Sequence, residues 1–253
     1  MAMLEVENLT IDFSGLKAVD NLSFSIEKGE IFGLIGPNGA GKTTTFNMIS
    51  GTFKPTSGTV VLNGKRIDGN YMYQNNEMGI ARTYQNINLF KSITVMENIL
   101  IGQHSRLKCG LISSFFHPPK YHQEEAAAIT KARDILEFVG LKQKENTISS
   151  GLSYGEQRLL EIGRALASDP ALLLLDEPAA GMNPTEKESL ANLVLRIRNK
   201  GITILLVEHD MKFVMGITGR ICVLSYGKRI AIGSPKEVQE NPEVIEAYLG
   251  RGD

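Results

Sequence analysis

Cysteine is scarce in this chain of 253 residues: Cys109 and Cys222 are the only two. They lack metal-ligand spacing, so the reading is reduced thiols in a cytosolic compartment rather than a disulfide framework or a zinc site. Long apolar runs are missing too, all falling far short of the roughly 20 residues that a membrane-spanning helix needs. Met1-Ala2-Met3-Leu4-Glu5 has no basic stretch leading into an apolar one, so no secretory leader is expected. Neither sign of charge dominates: 27 Lys+Arg against 28 Asp+Glu leave a formal net charge of −1. That excludes the strongly basic surface of a typical nucleic-acid-binding domain. His104, His117 and His122 have a spacing that suits no compact metal site and read as surface histidines. There are no internal repeats, no low-complexity segments and no Asn-Lys-x-Asp guanine motif. What is present, 42% hydrophobic and 22% charged residues, is ordinary for a globular protein with a sizeable core.

The most informative stretch is Gly36-Pro37-Asn38-Gly39-Ala40-Gly41-Lys42-Thr43-Thr44. It follows the apolar run Ile31 to Ile35 and precedes a helical pattern to Ser50, so a strand feeds a glycine-rich loop that opens a helix. Such a loop turns successive backbone N–H groups inward, and the helix dipole adds positive potential. Lys42 then reaches β- and γ-phosphates, and the Thr43 hydroxyl suits Mg²⁺. The expected substrate class is a nucleoside triphosphate. A second run, Ala171 to Leu175, is wholly apolar and ends in Asp176-Glu177-Pro178, which suits a strand buried on both faces of a parallel sheet. At the carboxyl end of such a strand, Asp176 is placed for the metal shell and Glu177 for polarising a water for in-line attack.

Leu152-Ser153-Tyr154-Gly155-Glu156-Gln157 precedes that strand. Its chemistry alone gives a capping box, Ser153 with Glu156, opening an amphipathic helix. The same six residues resemble the signature sequence of ATP-binding cassette ATPases, in a variant with Tyr154 and Glu156-Gln157. Further motifs match that family in order: Gln85 the Q-loop glutamine, Ala179 to Asn183 the D-loop, His209 the switch histidine. Phe13 stands where the family places an aromatic on adenine. Asn183 departs from the pattern, where Asp is commoner. The Glu208-His209-Asp210-Met211 run, the Asn241 to Gly250 tail and the insertion length look like the ATPase subunits of branched-chain amino acid importers. Urea and amide importers have similar subunits.

The resemblance implies an α/β fold: a P-loop NTPase core with a mainly parallel sheet flanked by helices, an antiparallel β subdomain and an inserted helical subdomain. The expected division is 1–87 (core with antiparallel part), 88–168 (helical, with the signature) and 169–253 (core continued, with a helical tail). It implies ATP and Mg²⁺, held by Phe13, Gly36, Pro37, Asn38, Gly39, Ala40, Gly41, Lys42, Thr43, Thr44, Gln85 and Asp176. Thr43 and Gln85 would ligate the metal, with Asp176 acting through water. Glu177, His209 and Lys42 would be catalytic, and Ser153, Gly155 and Glu156 would act in trans on nucleotide held by another protomer. Implied partners are a second ATPase subunit and integral membrane permeases, with the chain peripheral on the inner face of the cell membrane. A cassette ATPase of translation or DNA repair is the competing reading, but those usually carry paired cassettes or long coiled-coil insertions.

Local patterns add detail. Thr59 to Ile67 reads as a hairpin about Asn63-Gly64 and Ile221 to Ile232 as another about Tyr226-Gly227. Gly140 reads as a helix C′ cap, and Asn241-Pro242 as N-cap and N1 of the last helix. The segment 103–125, with Phe115, Phe116 and Pro118-Pro119, is least like a cassette; it either packs under a loop or contacts a membrane-embedded partner.

Overall fold

The computed structural model describes residues 2–106 and 119–249. Cys109, His117 and most of the 103–125 segment lie outside the described residues, as does the side chain of His122. Contacts divide the chain into two compact units, residues 1–82 with 171–253, and residues 83–170. No helix among the described residues is long and apolar enough to cross a membrane.

The first unit holds two sheets. β1 (Ala2–Phe13) and β2 (Leu16–Glu27) pair antiparallel. β3 (Ile31–Ile35) then leads into helix α1 (Lys42–Ser50). β4 (Ser57–Leu62) and β5 (Lys65–Arg66) complete a four-stranded antiparallel sheet in the order β2-β1-β4-β5. Asn63 and Gly64 join these last two with φ of 48° and 75°. Two consecutive positive φ values are what a two-residue type I′ hairpin requires.

After α2 (Met72–Glu77), β6 (Ile80–Arg82) enters the second sheet with β7 (Leu172–Asp176), β8 (Thr203–Val207), β9 (Arg220–Ser225) and β10 (Lys228–Gly233). The order is β10-β9-β3-β8-β7-β6. All neighbours pair parallel except β10, which folds back on β9 through Tyr226 and Gly227. β3, β7 and β8 are buried at every position, which accounts for sequences that are apolar apart from Thr203 at the start of β8 and Asp176 at the end of β7. One core joins the sheets: Leu4, Leu22 and Ile26 pack with Phe32, Leu34, Leu172, Leu174 and Leu205. The Phe24 and Phe32 rings stack at 5.3 Å and 10°.

The second unit is helical: α3 (Val95–Gly102), α4 (Pro119–Val139) and α5 (Tyr154–Leu166). They approach closely at Gly163, where a Cβ would lie 3.0 Å from Ile99 and 3.4 Å from Ile135. α4 stops where Gly140 adopts φ 83°, as C′ caps do. α6 (Pro184–Asn199), α7 (Met211–Ile217), α8 (Pro235–Gln239) and α9 (Pro242–Leu249) belong to the first unit. Asn241 caps α9, its Oδ1 accepting from Glu243 N at 2.9 Å.

Candidate active site

The loop between β3 and α1 bends on glycine. Gly36, Gly39 and Gly41 have φ of 151°, 80° and 99°, values a side chain resists. At Gly36 a Cβ would stand 2.2 Å from the Leu224 carbonyl oxygen, and at Gly41 2.6 Å from that of Ala18. The loop is therefore seated on β9 and β2, with no room for alanine at either place.

α1 begins differently from most of the other described helices. α3, α5, α6, α7 and α8 each have an N-cap side chain, Thr94, Ser153, Asn183, Asp210 and Ser234, accepting from a first-turn amide. α1 starts at Gly41 with no side-chain cap and no acid in its first turn. Its opening amides and the positive end of its dipole are thus left to an external anion. Lys42, nearly buried, donates to the Gly36 and Pro37 carbonyls at 2.7 and 3.0 Å. Burial lowers its pKa, opposed by the negative charges of Glu177 and Asp176. Thr43 is exposed, Thr44 half-buried, and Pro37, Asn38 and Gly39 line the rim of the loop while Ala40 is enclosed.

Asp176 ends β7 and is 2% exposed. Its Oδ2 lies 3.4 Å from Arg82 Nη2, and the same guanidinium reaches Asn47 Oδ1 at 2.9 Å and Ser50 Oγ at 3.0 Å on α1. A carboxylate at a strand end and a hydroxyl on the opening helical turn are hard oxygen donors of the kind Mg²⁺ takes. Glu177 follows with φ 46°, a left-handed conformation uncommon for a side chain with a Cβ and concentrated at functional sites. Its N–H donates to Val207 O at 2.9 Å, and its Oε2 stands 3.6 Å from Nδ1 of His209. The His209 ring is open to solvent, 61% exposed. Phe13, 44% exposed at the end of β1, meets Phe53 edge-on with centroids 5.7 Å apart.

The helical unit carries the remaining residues. Ser153 and Glu156 form the capping box, Glu156 accepting from Ser153 N at 3.0 Å and Ser153 Oγ from Glu156 N at 3.4 Å. Glu156 also binds Lys144 at 2.5 Å, and that hydrogen bond holds its carboxyl below the usual range. Gly155 is buried in the first turn. Gln85 is exposed, and its carbonyl accepts from Arg158 Nη2 at 2.9 Å.

Three features escaped the sequence reading: Arg82 on Asp176, the fully buried Arg158–Glu161 pair, and Glu208, which is buried beside His209. The only sequence signal for Glu208 is an acid placed directly after an unbroken apolar strand. Asn183 is explained by the structure. Its Oδ1 accepts from Glu186 N at 3.0 Å with Pro184 next, so asparagine performs the capping that aspartate would.

Fold and site together define a P-loop nucleoside triphosphatase, with a phosphate cradle whose Lys42 feels the charges of the strand-end pair Asp176 and Glu177. Residues 19–180 match the ABC transporter family, and residues 228–253 match the family described as branched-chain amino acid ATP-binding cassette transporter. The chain belongs to the ABC transporter family and is a nucleotide-binding ATPase subunit serving transport. It is 47% identical over 249 residues, 98% of each chain, to the high-affinity branched-chain amino acid transport ATP-binding protein LivG of Salmonella typhimurium. Among solved structures it resembles the ADP conformation of MJ1267, an ATP-binding cassette of an ABC transporter, with TM-score 0.87 and 36% identity, covering 99% of this chain and 100% of that one. It also resembles cbiO1 of Clostridium perfringens, described as part of the ABC transporter complex cbiONQ, with TM-score 0.81 and 28% identity, covering 99% of this chain and 95% of that one.

Proposed function

We propose that this subunit hydrolyses MgATP to drive the import of branched-chain amino acids through separate permease subunits. It would sit peripherally on the inner face of the cell membrane and work as one of two paired cassettes. The observation that carries the nucleotide reading is the uncapped start of α1 beside Lys42. The solute follows from the match of residues 228–253 and from LivG.

In this reading the loop amides from Gly36 to Thr44 bind the phosphates, and Lys42 exchanges its carbonyl partners for β- and γ-oxygens. Phe13 stacks on adenine. Thr43 and Gln85 would ligate Mg²⁺, with Asp176 acting through water, and the metal would supply charge neutralisation on the phosphates. Glu177 takes the proton of the attacking water, and His209 holds the γ-phosphate. Ser153, Gly155 and Glu156 present the start of α5 to nucleotide on the opposite cassette. The chain carries both half-sites, and two protomers head to tail complete both.

The test is Glu177→Gln, which keeps side-chain size but removes the base. ATP binding should survive while hydrolysis falls by orders of magnitude. Light scattering at high protein concentration should show a dimer in ATP and a monomer in ADP, weakened by Ser153→Ala. A dimer indifferent to nucleotide and to Ser153 refutes the paired arrangement. Co-purification with permeases and uptake of leucine, isoleucine and valine, against urea and short amides, decides the solute.

A further inference from the structure

Glu208 is a buried acid that no step above uses. It follows β8, is itself fully enclosed, and its two oxygens serve different loops. Oε1 accepts from the Ala179 amide at 2.7 Å, in the turn just after Glu177. Oε2 accepts from the His209 amide at 3.1 Å, and the Asp210 backbone adds a further hydrogen bond. A further close tie here is the bond from Glu177 N to Val207 O at 2.9 Å. Lys187 directs its hydrogen bond to Asp210 at 2.6 Å and meets Glu208 only through its charge, so the hydrogen bonds to the Glu208 carboxyl come from backbone amides.

An acid is a poor choice for filling space at such a place. Burial raises its pKa, and an apolar side chain of the same volume would avoid the desolvation altogether. What an apolar side chain lacks is two acceptors a fixed distance apart. Glu177 and His209 approach to 3.6 Å from these two loops, and the left-handed backbone of Glu177 needs its surroundings to hold it.

We propose that Glu208 is a positioning residue for ATP hydrolysis: its carboxylate ties the turn that carries Glu177 to the loop that carries His209 and sets the spacing of the two. The proposal rests on the roles given above to Glu177 and His209. Glu208→Gln keeps the volume but places an NH₂ against either the Ala179 or the His209 amide, so two donors face each other and one tie breaks. Glu208→Asp keeps both oxygens on a shorter stem.

The experiment uses the full chain: ATP affinity by titration calorimetry, hydrolysis in a single turnover at saturating ATP, and a thermal melt for each variant. Glu208→Gln should bind ATP within about threefold of the parent and hydrolyse it about 10- to 100-fold more slowly, the scale of a misplacement near 1 Å. Glu208→Asp should lie between the two. Hydrolysis by folded Glu208→Gln within about twofold of the parent overturns the proposal, as does an affinity loss equal to the rate loss. If Glu208→Gln does not fold, Glu208→Asp decides, and a parental rate there overturns it. Glu177→Gln runs alongside. If it hydrolyses at the parental rate, the reading of Glu177 as base has failed; if it is inactive while Glu208→Gln is at full rate, only the tie has.

Discussion

Glu161→Leu should destabilise the 83–170 unit severely, because it strands a guanidinium away from water. Arg158 and Glu161 are 0% and 1% exposed, and Arg158 Nη1 donates to Glu161 Oε2 at 2.8 Å. The same nitrogen donates to Tyr84 O at 2.6 Å, and Nη2 to Gln85 O at 2.9 Å. Glu161 Oε1 in turn accepts from the amides of Tyr84 and Asn88 at 3.2 and 3.3 Å. One buried pair thus holds the backbone about Gln85 against α5. Removing one partner of such a pair costs about 3–5 kcal/mol. The two amides lose their acceptor but can rehydrate, which adds about 1 kcal/mol. A loss of about 4–6 kcal/mol is a large fraction of the 5–15 kcal/mol by which domains are typically stable.

Urea unfolding of parent, Glu161→Leu, Arg158→Met and the double variant measures this directly, with the slope m checked for constancy. Removing both charges should recover at least about 2 kcal/mol over Glu161→Leu alone, because no charge is then left uncompensated. A loss below about 1 kcal/mol for Glu161→Leu, or strict additivity in the double variant, would show that the two side chains do not compensate each other.

Gly36→Ala should abolish nucleotide binding in a titration, since its Cβ would press on Leu224 O at 2.2 Å with φ at 151°; unchanged affinity refutes the seating of the loop on β9. Phe13→Ala should weaken adenine nucleotides by about 1–3 kcal/mol, and an equal loss for inorganic triphosphate would make Phe13 structural. Asp210→Asn keeps the cap on Phe213 N at 3.1 Å but loses the Lys187 pair at 2.6 Å, for about 0.5–1 kcal/mol. That pair and the cap hold the Asp210 pKa below the ordinary aspartate value, so its stabilisation is present above the unfolded value and lost as pH falls through the folded one. The difference in melting temperature between parent and Asp210→Asn should therefore shrink on acidification from pH 7 to pH 3. Burial pushes the Cys222 thiol up to about 12, so in a Cys109→Ser chain no thiol should react with a maleimide until denaturant is added.

The division between what could be read from the residues and what could not follows the range of the interactions. Type I′ geometry at Asn63-Gly64, the capping box at Ser153 and Glu156, and the Asn241-Pro242 start of α9 depend on atoms a few residues apart. Those local preferences survive folding because no tertiary contact opposes them. The glycine loop belongs to the same class, although the reason Gly36 and Gly41 tolerate no side chain, the carbonyls of Leu224 and Ala18, lies far along the chain. Everything that tunes the site is long-range. Arg82 meets Asp176 only because β6 and β7 are neighbours in the second sheet. Glu208 meets Ala179 only because β7 and β8 pair from Leu172↔Thr203 to Asp176↔Val207, which brings their carboxyl ends level. A one-residue slip in that register would turn Asp176 to the other face of the sheet and separate the Glu208 oxygen from the Ala179 amide. Three of the five buried register pairs are wholly apolar, Leu173↔Ile204, Leu174↔Leu205 and Leu175↔Leu206, so much of the precision of the catalytic corner is inherited from side chains that take no part in the chemistry. Motif and positioning are thus written in different residues: the first could be found by scanning, the second only after the strands were in order.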